Sequence, residues 1–560
     1  MNLNIATVRR TQLVGTFGVG SMYPAQDQSL MIQGLDYWNP RACRSITEPR
    51  LARSLGIAQL KEPPSGSDDG DVPVVRFPEY YFCPDCRRLD RIRNFDSMDR
   101  TPRCQDCGCA IVPSRFVTCC VNGHIDDFPY FAWIHRSSSG GWSEGKHRLK
   151  LRTRGQSSAL SDVVVECTCG ASRSMEGAFG ASALKGIASC SGRRPWLGDR
   201  EEPRCTETPR TFQRGSSNTW FGQVLSSISI PPWSDVYEKL EKHREVLQGL
   251  PEESLRTIFA KDFWIPEGSG LTVDMLVSLF QGVSEGAPPP TTADMRNEEF
   301  QALMAGHPEA SPTDQFVCTK VDMDDAEIGD FVAQVRNVSR LREVRALVGF
   351  SRVAPEKKIC CLSKTPRDWL PAIEVFGEGV FVELSTPRFD EWVNDQFALG
   401  RAATIANAAT RSMHPVSVNA KLLLLHSFSH ALMNELSLDA GYPVASLRER
   451  LYTQPGQAGI LIYTSTSDSA GSLGGLSSQS EASKLDSIIR AAVTRASWCS
   501  TDPICIESQG SGVENLNLAA CHACLLLPET SCELRNTLLD RAMLVGTPDH
   551  ETEGFFSSLI

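Results

Sequence analysis

The sequence predicts a multidomain α+β protein, with cysteine-rich, ribbon-like modules in its N-terminal half and a mixed α/β C-terminal domain carrying its own metal site. Three observations predict it. The chain has 560 residues, too many for one hydrophobic core. Its 20 cysteines are clustered, eleven between Cys83 and Cys205 and five between Cys499 and Cys532. Short alternating segments and longer stretches of helical spacing follow one another along the chain. In a reducing compartment, clustered thiols point to metal rather than to disulfides.

Hydrophobic content of 41% and charged content of 22% are those of an ordinary globular protein. No apolar run reaches the roughly 18 to 20 residues of a membrane span, so no membrane partner is expected. The first residues lack a basic region followed by an apolar core, so no export signal is expected and the expected location is cytoplasmic. The net charge of -11 is unevenly spread. Residues 1–215 hold 29 Lys and Arg against 23 Asp and Glu, and residues 216–560 hold 27 against 44. Any contact with DNA must therefore be a local patch.

Residues 1–72 read as short strands with glycine turns. Gly15 and Gly20 have the spacing of a phosphate loop, but Ser21 stands where the lysine is required. The run is a turn, and the chain, with no complete Walker A motif, is not expected to be an enzyme. Residues 73–215 form the cysteine-rich region. Cys83-x2-Cys86 and Cys104-x2-Cys107, 17 residues apart, have the spacing of two knuckles around one tetrahedral Zn2+, with Cys109 left over. Cys167, Cys169, Cys190 and Cys205 are expected to form a second zinc site.

Between these sets lie His124, Asp126, Asp127 and His135. The first reading is buried, hydrogen-bonded residues beside an aromatic core; the competing one is chemistry or a metal, with Cys119 or Cys120 joining His124. Arg148, Lys150, Arg152 and Arg154 fall on one face of an alternating strand. They make either a solvated face or a contact with a phosphate backbone, and Arg193 and Arg194 are further candidates.

Residues 216–310 read as a helical connecting region, with Pro251 and Glu252–Glu253 opening a new helix. In the α/β region 311–410, residues 325–340 have helical spacing, the next stretch reads as strand, and 369–384 reads as two strands around Gly377 and Gly379. Glu374, Glu378 and Glu383 read as exposed carboxylates. The C-terminal domain spans 411–560. Its leucine-rich helix at 418–438 sets His426 and His430 four apart on one face. Ser427 occupies the place of the glutamate that a zinc-protease helix needs, which leaves a hydrogen-bonded pair ahead of a metal pair. A buried strand at 458–464, a Gly/Ser-rich loop and a helix follow, so Gly471, Ser472, Gly474 and Gly475 form either an anion site or a plain turn. Near the end, Cys521, Cys524 and Cys532 crowd one short segment, with Cys499 and Cys505 just upstream.

Several of these stretches carry a resemblance. LLLLHSFSHALMNELS, GILIYTSTSDSAGSLGGL and NLAACHACLLLPETSCELRNTLLDR resemble the zinc-binding domain found at the C-terminus of MrfA-type DNA helicases. Adding RRTQLVGTFGVGSM, CCVNGHIDDFPY, CSGRRPWLG, LREVRALVGFSRV and WLPAIEVFGEGVF, nearly the whole chain is similar to the DrmB family of the DISARM anti-phage systems. The resemblance implies a non-catalytic subunit that pairs with a DrmA-like superfamily-two helicase and engages DNA as part of that complex. It also implies a four-cysteine C-terminal zinc site. Cys521, Cys524 and Cys532 match three of its ligands, and the fourth is Cys505 or Cys499, with Cys505 preferred for the turn signalled by Asp502–Pro503. The competing class is a metal-dependent nuclease or hydrolase using His124, Asp126 and Asp127, or His426 and His430.

Overall fold

The computed structural model describes residues 6–25, 28–65, 70–95, 101–136, 146–155, 159–201, 203, 205–247, 249–261, 263–265, 271–281, 289–323, 327–355, 357–412, 417–464 and 474–560. They gather into two units: residues 1–46, 59–225 and 345–373 in the first, and 47–58, 226–344 and 374–560 in the second. Helices and sheets are mixed throughout, as the α+β reading requires.

The first unit is built from small antiparallel sheets. A six-stranded sheet runs Ser172–Ser174, Val163–Cys167, Leu149–Thr153, Arg88–Arg91, Tyr80–Phe82, Val112–Pro113. It packs its Leu89, Leu149 and Val165 face on Phe128, Tyr130 and Trp133. A separate three-stranded sheet orders Ile125–Asp127, Phe116–Cys119 and Arg210–Gln213. Near the start, the Arg10–Val14 helix precedes a hairpin of Met22–Ala25 with Gln28–Ile32. Gly20 takes φ +79, and a Cβ there would strike the Phe350 ring. Its carbonyl accepts from the fully buried guanidinium of Arg352, which also donates to the Gly123 carbonyl. The glycine run is thus spent on packing around a buried arginine.

In the second unit, Trp233–Leu247, Glu252–Phe259 and Val273–Gln281 are helices whose Val236, Leu240, Leu255, Phe259 and Leu276 share one small core. The larger core surrounds the Ala420–Ala440 helix. Asn419 caps it by accepting from the Leu422 amide at 2.8 Å, and Gly441 at φ +73 ends it. It is buried on almost every side, because strands Leu447–Tyr452 and Gly459–Thr464 and helices Ala482–Ala496 and Ala542–Val545 pack around it.

Two sequence readings change here. Residues 325–340 are not one helix. A short 3-10 turn, Glu327–Asp330, gives way to the strand Gln334–Ser351, where Val335, Val338 and Val344 favour extended backbone over helix. Residues 369–384 are not two strands but one, Trp369–Glu383. Gly377 and Gly379 do not break it. A Cβ on either would collide with the backbone of the partner strand, at Thr464 and Ile462 respectively, so glycine permits the close pairing of Gly379 with Tyr463.

Candidate metal centres

Hairpin tips supply the donors of the first unit. The turn between Tyr80–Phe82 and Arg88–Arg91 presents Cys83 and Cys86, and a second turn presents Cys104 and Cys107. In each, the residue after the second cysteine adopts the left-handed conformation, Arg87 at φ 65 and Gly108 at φ 71. Its amide donates to the first cysteine's carbonyl, at 3.0 Å from Arg87 to Cys83 and 2.8 Å from Gly108 to Cys104. That backbone turns both thiols of a knuckle the same way. Cys83 Sγ lies 3.3 Å from Cys107 Sγ, and Cys86 Sγ lies 3.6 Å from Cys104 Sγ. Four thiolates about 2.3 Å from one zinc ion stand roughly 3.8 Å apart, so the quartet fits that ion. Cys109 stays outside it.

Cys167 and Cys169 do not join Cys190 and Cys205. Each pair recruits histidine and forms its own quartet. Strand pairing decides this. Cys167 pairs with Leu149 across the six-stranded sheet, which brings His147, two residues before Leu149, to 3.2 Å from Cys167 Sγ through Nδ1. His135 follows the short helix Tyr130–Ile134 and points Nε2 at Cys169 Sγ, 3.3 Å away, with Nδ1 2.8 Å from the Phe131 carbonyl. The Ala171 amide, with His135 and Cys167 beside it, lowers the Cys169 thiol to about 6, which favours the thiolate a metal needs. Sequence reasoning misses His147. Its only signal there is its place at the start of a strand that pairs with a Cys-x-Cys hairpin.

Cys190 and Cys205 instead meet Cys120 and His124, at the end of the Phe116–Cys119 and Ile125–Asp127 hairpin. His124 Nδ1 is 3.4 Å from Cys120 Sγ and 3.5 Å from Cys190 Sγ. Its Nε2 lies 2.8 Å from Glu201 Oε2, so the carboxylate holds the proton on Nε2 and leaves the Nδ1 lone pair facing the thiols. Hydrogen bonds from Cys190 and His124 hold the Cys120 thiol down to about 4, against the effect of burial.

In the second unit, Cys499 and Cys505 both join Cys521 and Cys524. Cys499 Sγ lies 3.5 Å from Cys521 Sγ, Cys505 Sγ 3.8 Å from Cys524 Sγ, and Cys521 Sγ 3.7 Å from Cys524 Sγ. Asp502 fixes the upstream turn, accepting from the Cys499 amide at 2.8 Å and the Ile506 amide at 3.1 Å. Cys532, expected in this set, is displaced: it lies 3.1 Å from His426 Nε2, against the Leu-rich helix. Seven residues of irregular chain between Cys524 and Cys532 carry it to a different neighbour. Burial opposes ionisation of Cys521, yet the Ala523 amide, the Thr501 hydroxyl and the adjoining thiols bring it to about 7.

The residues considered for chemistry or DNA have definite partners. Asp126 accepts from Ser191 Oγ at 2.6 Å and pairs with Arg193 at 3.1 Å, and Arg193 also pairs with Glu79. Arg194 makes a two-pronged pair with Asp199, at 2.8 and 3.0 Å. Asp127 is enclosed, accepting from the Tyr80 amide at 2.9 Å. Arg148, Lys150, Arg152 and Arg154 are exposed on one face of the chain along the Leu149–Thr153 strand, Arg152 and Arg154 sharing Glu166 at 3.0 and 3.1 Å.

Gly471 and Ser472 lie outside the described residues. Gly474 belongs to a loop that does bind an anion, but the anion is internal. The Glu378 carboxylate accepts from the amides of Gly474, Leu476 and Ser477 at 2.6, 2.9 and 3.2 Å, from Ser477 Oγ at 2.6 Å and from Tyr442 Oη at 3.0 Å. Glu378 is therefore buried rather than exposed, as is Glu383, while Glu374 is half-buried and paired with Arg342 at 3.0 Å. The phosphate reading of Gly474 fails because its amide is taken.

Residues 428–525 match the family model of the MrfA Zn-binding domain, and residues 9–221 match that of a domain of unknown function, DUF8724. With these donor sets, zinc is the cofactor the chain fits. Over 605 aligned positions the chain is 30% identical to the DISARM protein DrmB of Bacillus paralicheniformis, an alignment covering 95% of this chain and 99% of that relative. Similarity of that extent, together with the zinc-binding C-terminal domain, places the chain in the DrmB family of DISARM proteins.

Proposed function

We propose that this chain is a non-catalytic subunit of an anti-phage defence complex, binding a DrmA-like superfamily-two helicase and helping to hold DNA. The end-to-end similarity to a DISARM protein carries the reading. The donor sets support the non-catalytic part. Quartets of cysteine, or of cysteine and histidine, fill all four positions of a tetrahedral ion and leave none for water or substrate. Their role is then structural, closing hairpin tips and loops too short to build a core of their own. The hydrolase alternative draws no support from His124, which faces two thiols, or from Asp126, which is held by Arg193 and Ser191.

Co-expression of the full chain with a DrmA-like helicase tests the proposal. One complex eluting from size exclusion at moderate salt, with ATPase activity lost when the helicase's own nucleotide site is disabled, is the expected result. Separate elution under every condition rejects the partnership. Steady cleavage of labelled DNA by the isolated chain with a divalent metal favours the hydrolase.

A further inference from the structure

The Ala420–Ala440 helix presents His426 and His430 to Glu449, on strand Leu447–Tyr452, and to Cys532 in the tail. All four side chains are buried, and the two histidines are wholly enclosed. Their nearest donor atoms lie within 4.8 Å of one another. His426 Nε2 is 3.1 Å from Cys532 Sγ and 3.2 Å from Glu449 Oε1. His430 Nε2 is 3.5 Å from the same carboxylate oxygen and has no hydrogen-bond partner among the described residues.

The other side of each ring is already committed. His426 Nδ1 faces the Leu538 carbonyl at 3.1 Å, and His430 Nδ1 faces the Leu525 carbonyl at 2.8 Å. Carbonyls only accept, so both Nδ1 atoms carry the proton and both Nε2 lone pairs of the neutral rings point inward. There they converge on a carboxylate and a sulfur, which are also acceptors. The carboxylate is braced by the Ser429 hydroxyl and by the Glu533 amide at 3.1 Å, and Cys532 Sγ accepts from the Asn536 amide at 3.2 Å. With the thiol ionised, four acceptors, each oriented from behind, share one point that holds no donor among the described residues. Without a metal, protons would have to fill it, on the buried sulfur and carboxylate or on two rings with centroids 4.5 Å apart.

We infer that His426, His430, Glu449 and Cys532 bind a zinc ion of their own, a closed mixed-donor site separate from the Cys499, Cys505, Cys521 and Cys524 quartet. Two imidazole nitrogens, one carboxylate oxygen and one thiolate at tetrahedral zinc distances stand roughly 3.3 to 3.6 Å apart, close to the spacing seen. Imidazole, thiolate and carboxylate together select zinc over magnesium or calcium, which take oxygen alone. The matched zinc-binding family span, 428–525, omits His426 and Cys532, so this site extends beyond it. The ion would tie the central helix, a strand and the chain terminus at one buried point, with the cysteine quartet fastening the same tail a few residues earlier.

Zinc per chain, measured by elemental analysis on full-length protein, tests the inference. His430→Gln with Cys532→Ser is expected to lose one equivalent relative to the parent while keeping those of the cysteine quartets. Unchanged zinc in that folded variant overturns the inference. If the variant does not fold, anomalous scattering at the zinc edge from crystals of the unaltered chain decides. A peak among the four donor atoms supports the site. Peaks at the cysteine quartets and none here would mean a metal-free hydrogen-bonded cluster.

Discussion

Asp127 shows how far burial reshapes one residue. Its carboxyl is pushed up to about 7, from an ordinary 3.8, by desolvation and by the nearby charges of Asp126 and Glu79, against the Tyr80 amide and Arg193. The folded chain thus keeps a proton that the unfolded chain releases from about pH 4 upward. Stability from this residue is therefore lost as pH rises from about 4 to 7. Asp127→Asn keeps an acceptor for the Tyr80 amide and removes the titration. It is expected to melt above the parent at pH 7.5, by on the order of 1 to 3 kcal/mol, with the difference vanishing near pH 4. Parallel melting curves of the two zinc-loaded proteins across that range would reject this account. Glu378 makes the same point from the other direction. Alternation along its strand cannot reveal that three amides and one hydroxyl of a distant loop, with the Tyr442 hydroxyl, wait for its carboxylate.

At the scale of elements, the second unit joins strands and helices through buried charge. Arg450, on strand Leu447–Tyr452, meets Glu299, on the Thr292–Ala305 helix, at 2.8 and 2.9 Å, and Glu343, on strand Gln334–Ser351, at 3.3 Å. All three are almost fully buried. Removing the cation takes the closest positive charge from two carboxylates in a place water does not reach. Arg450→Met is expected to destabilise the unit by about 3 to 5 kcal/mol, and adding Glu299→Gln to recover part of that loss. Denaturant titration of the single and double variants measures both; additive losses would mean the pair is not coupled. Apolar periodicity located the Leu-rich helix and the strand at 458–464, because those elements bury carbon. It misread 325–340, where Arg336, which the sequence presents as surface, is interior in the fold.

For the whole molecule, the uneven charge makes the exposed Arg148, Lys150, Arg152 and Arg154 face the patch we propose for a phosphate backbone, with Glu166 offsetting part of it. Changing all four to Ala in the assembled complex is expected to weaken DNA retention. It should also flatten the dependence of log affinity on log salt by about 2 to 4, at roughly 0.9 for each phosphate left without its cation. Equal binding across a salt series would remove this face from the DNA path. The sequence by itself determined that cysteines gather metal, that Cys83, Cys86, Cys104 and Cys107 belong together, and that helices and strands mix, since knuckle spacing and apolar periodicity are local properties of the chain. Only the tertiary structure decided which histidines complete the other quartets, why Cys532 leaves the C-terminal one, and which anion fills the glycine loop. Those choices depend on donors brought within 4.8 Å of one another by strand pairing and helix packing, and separation along the chain does not encode that distance.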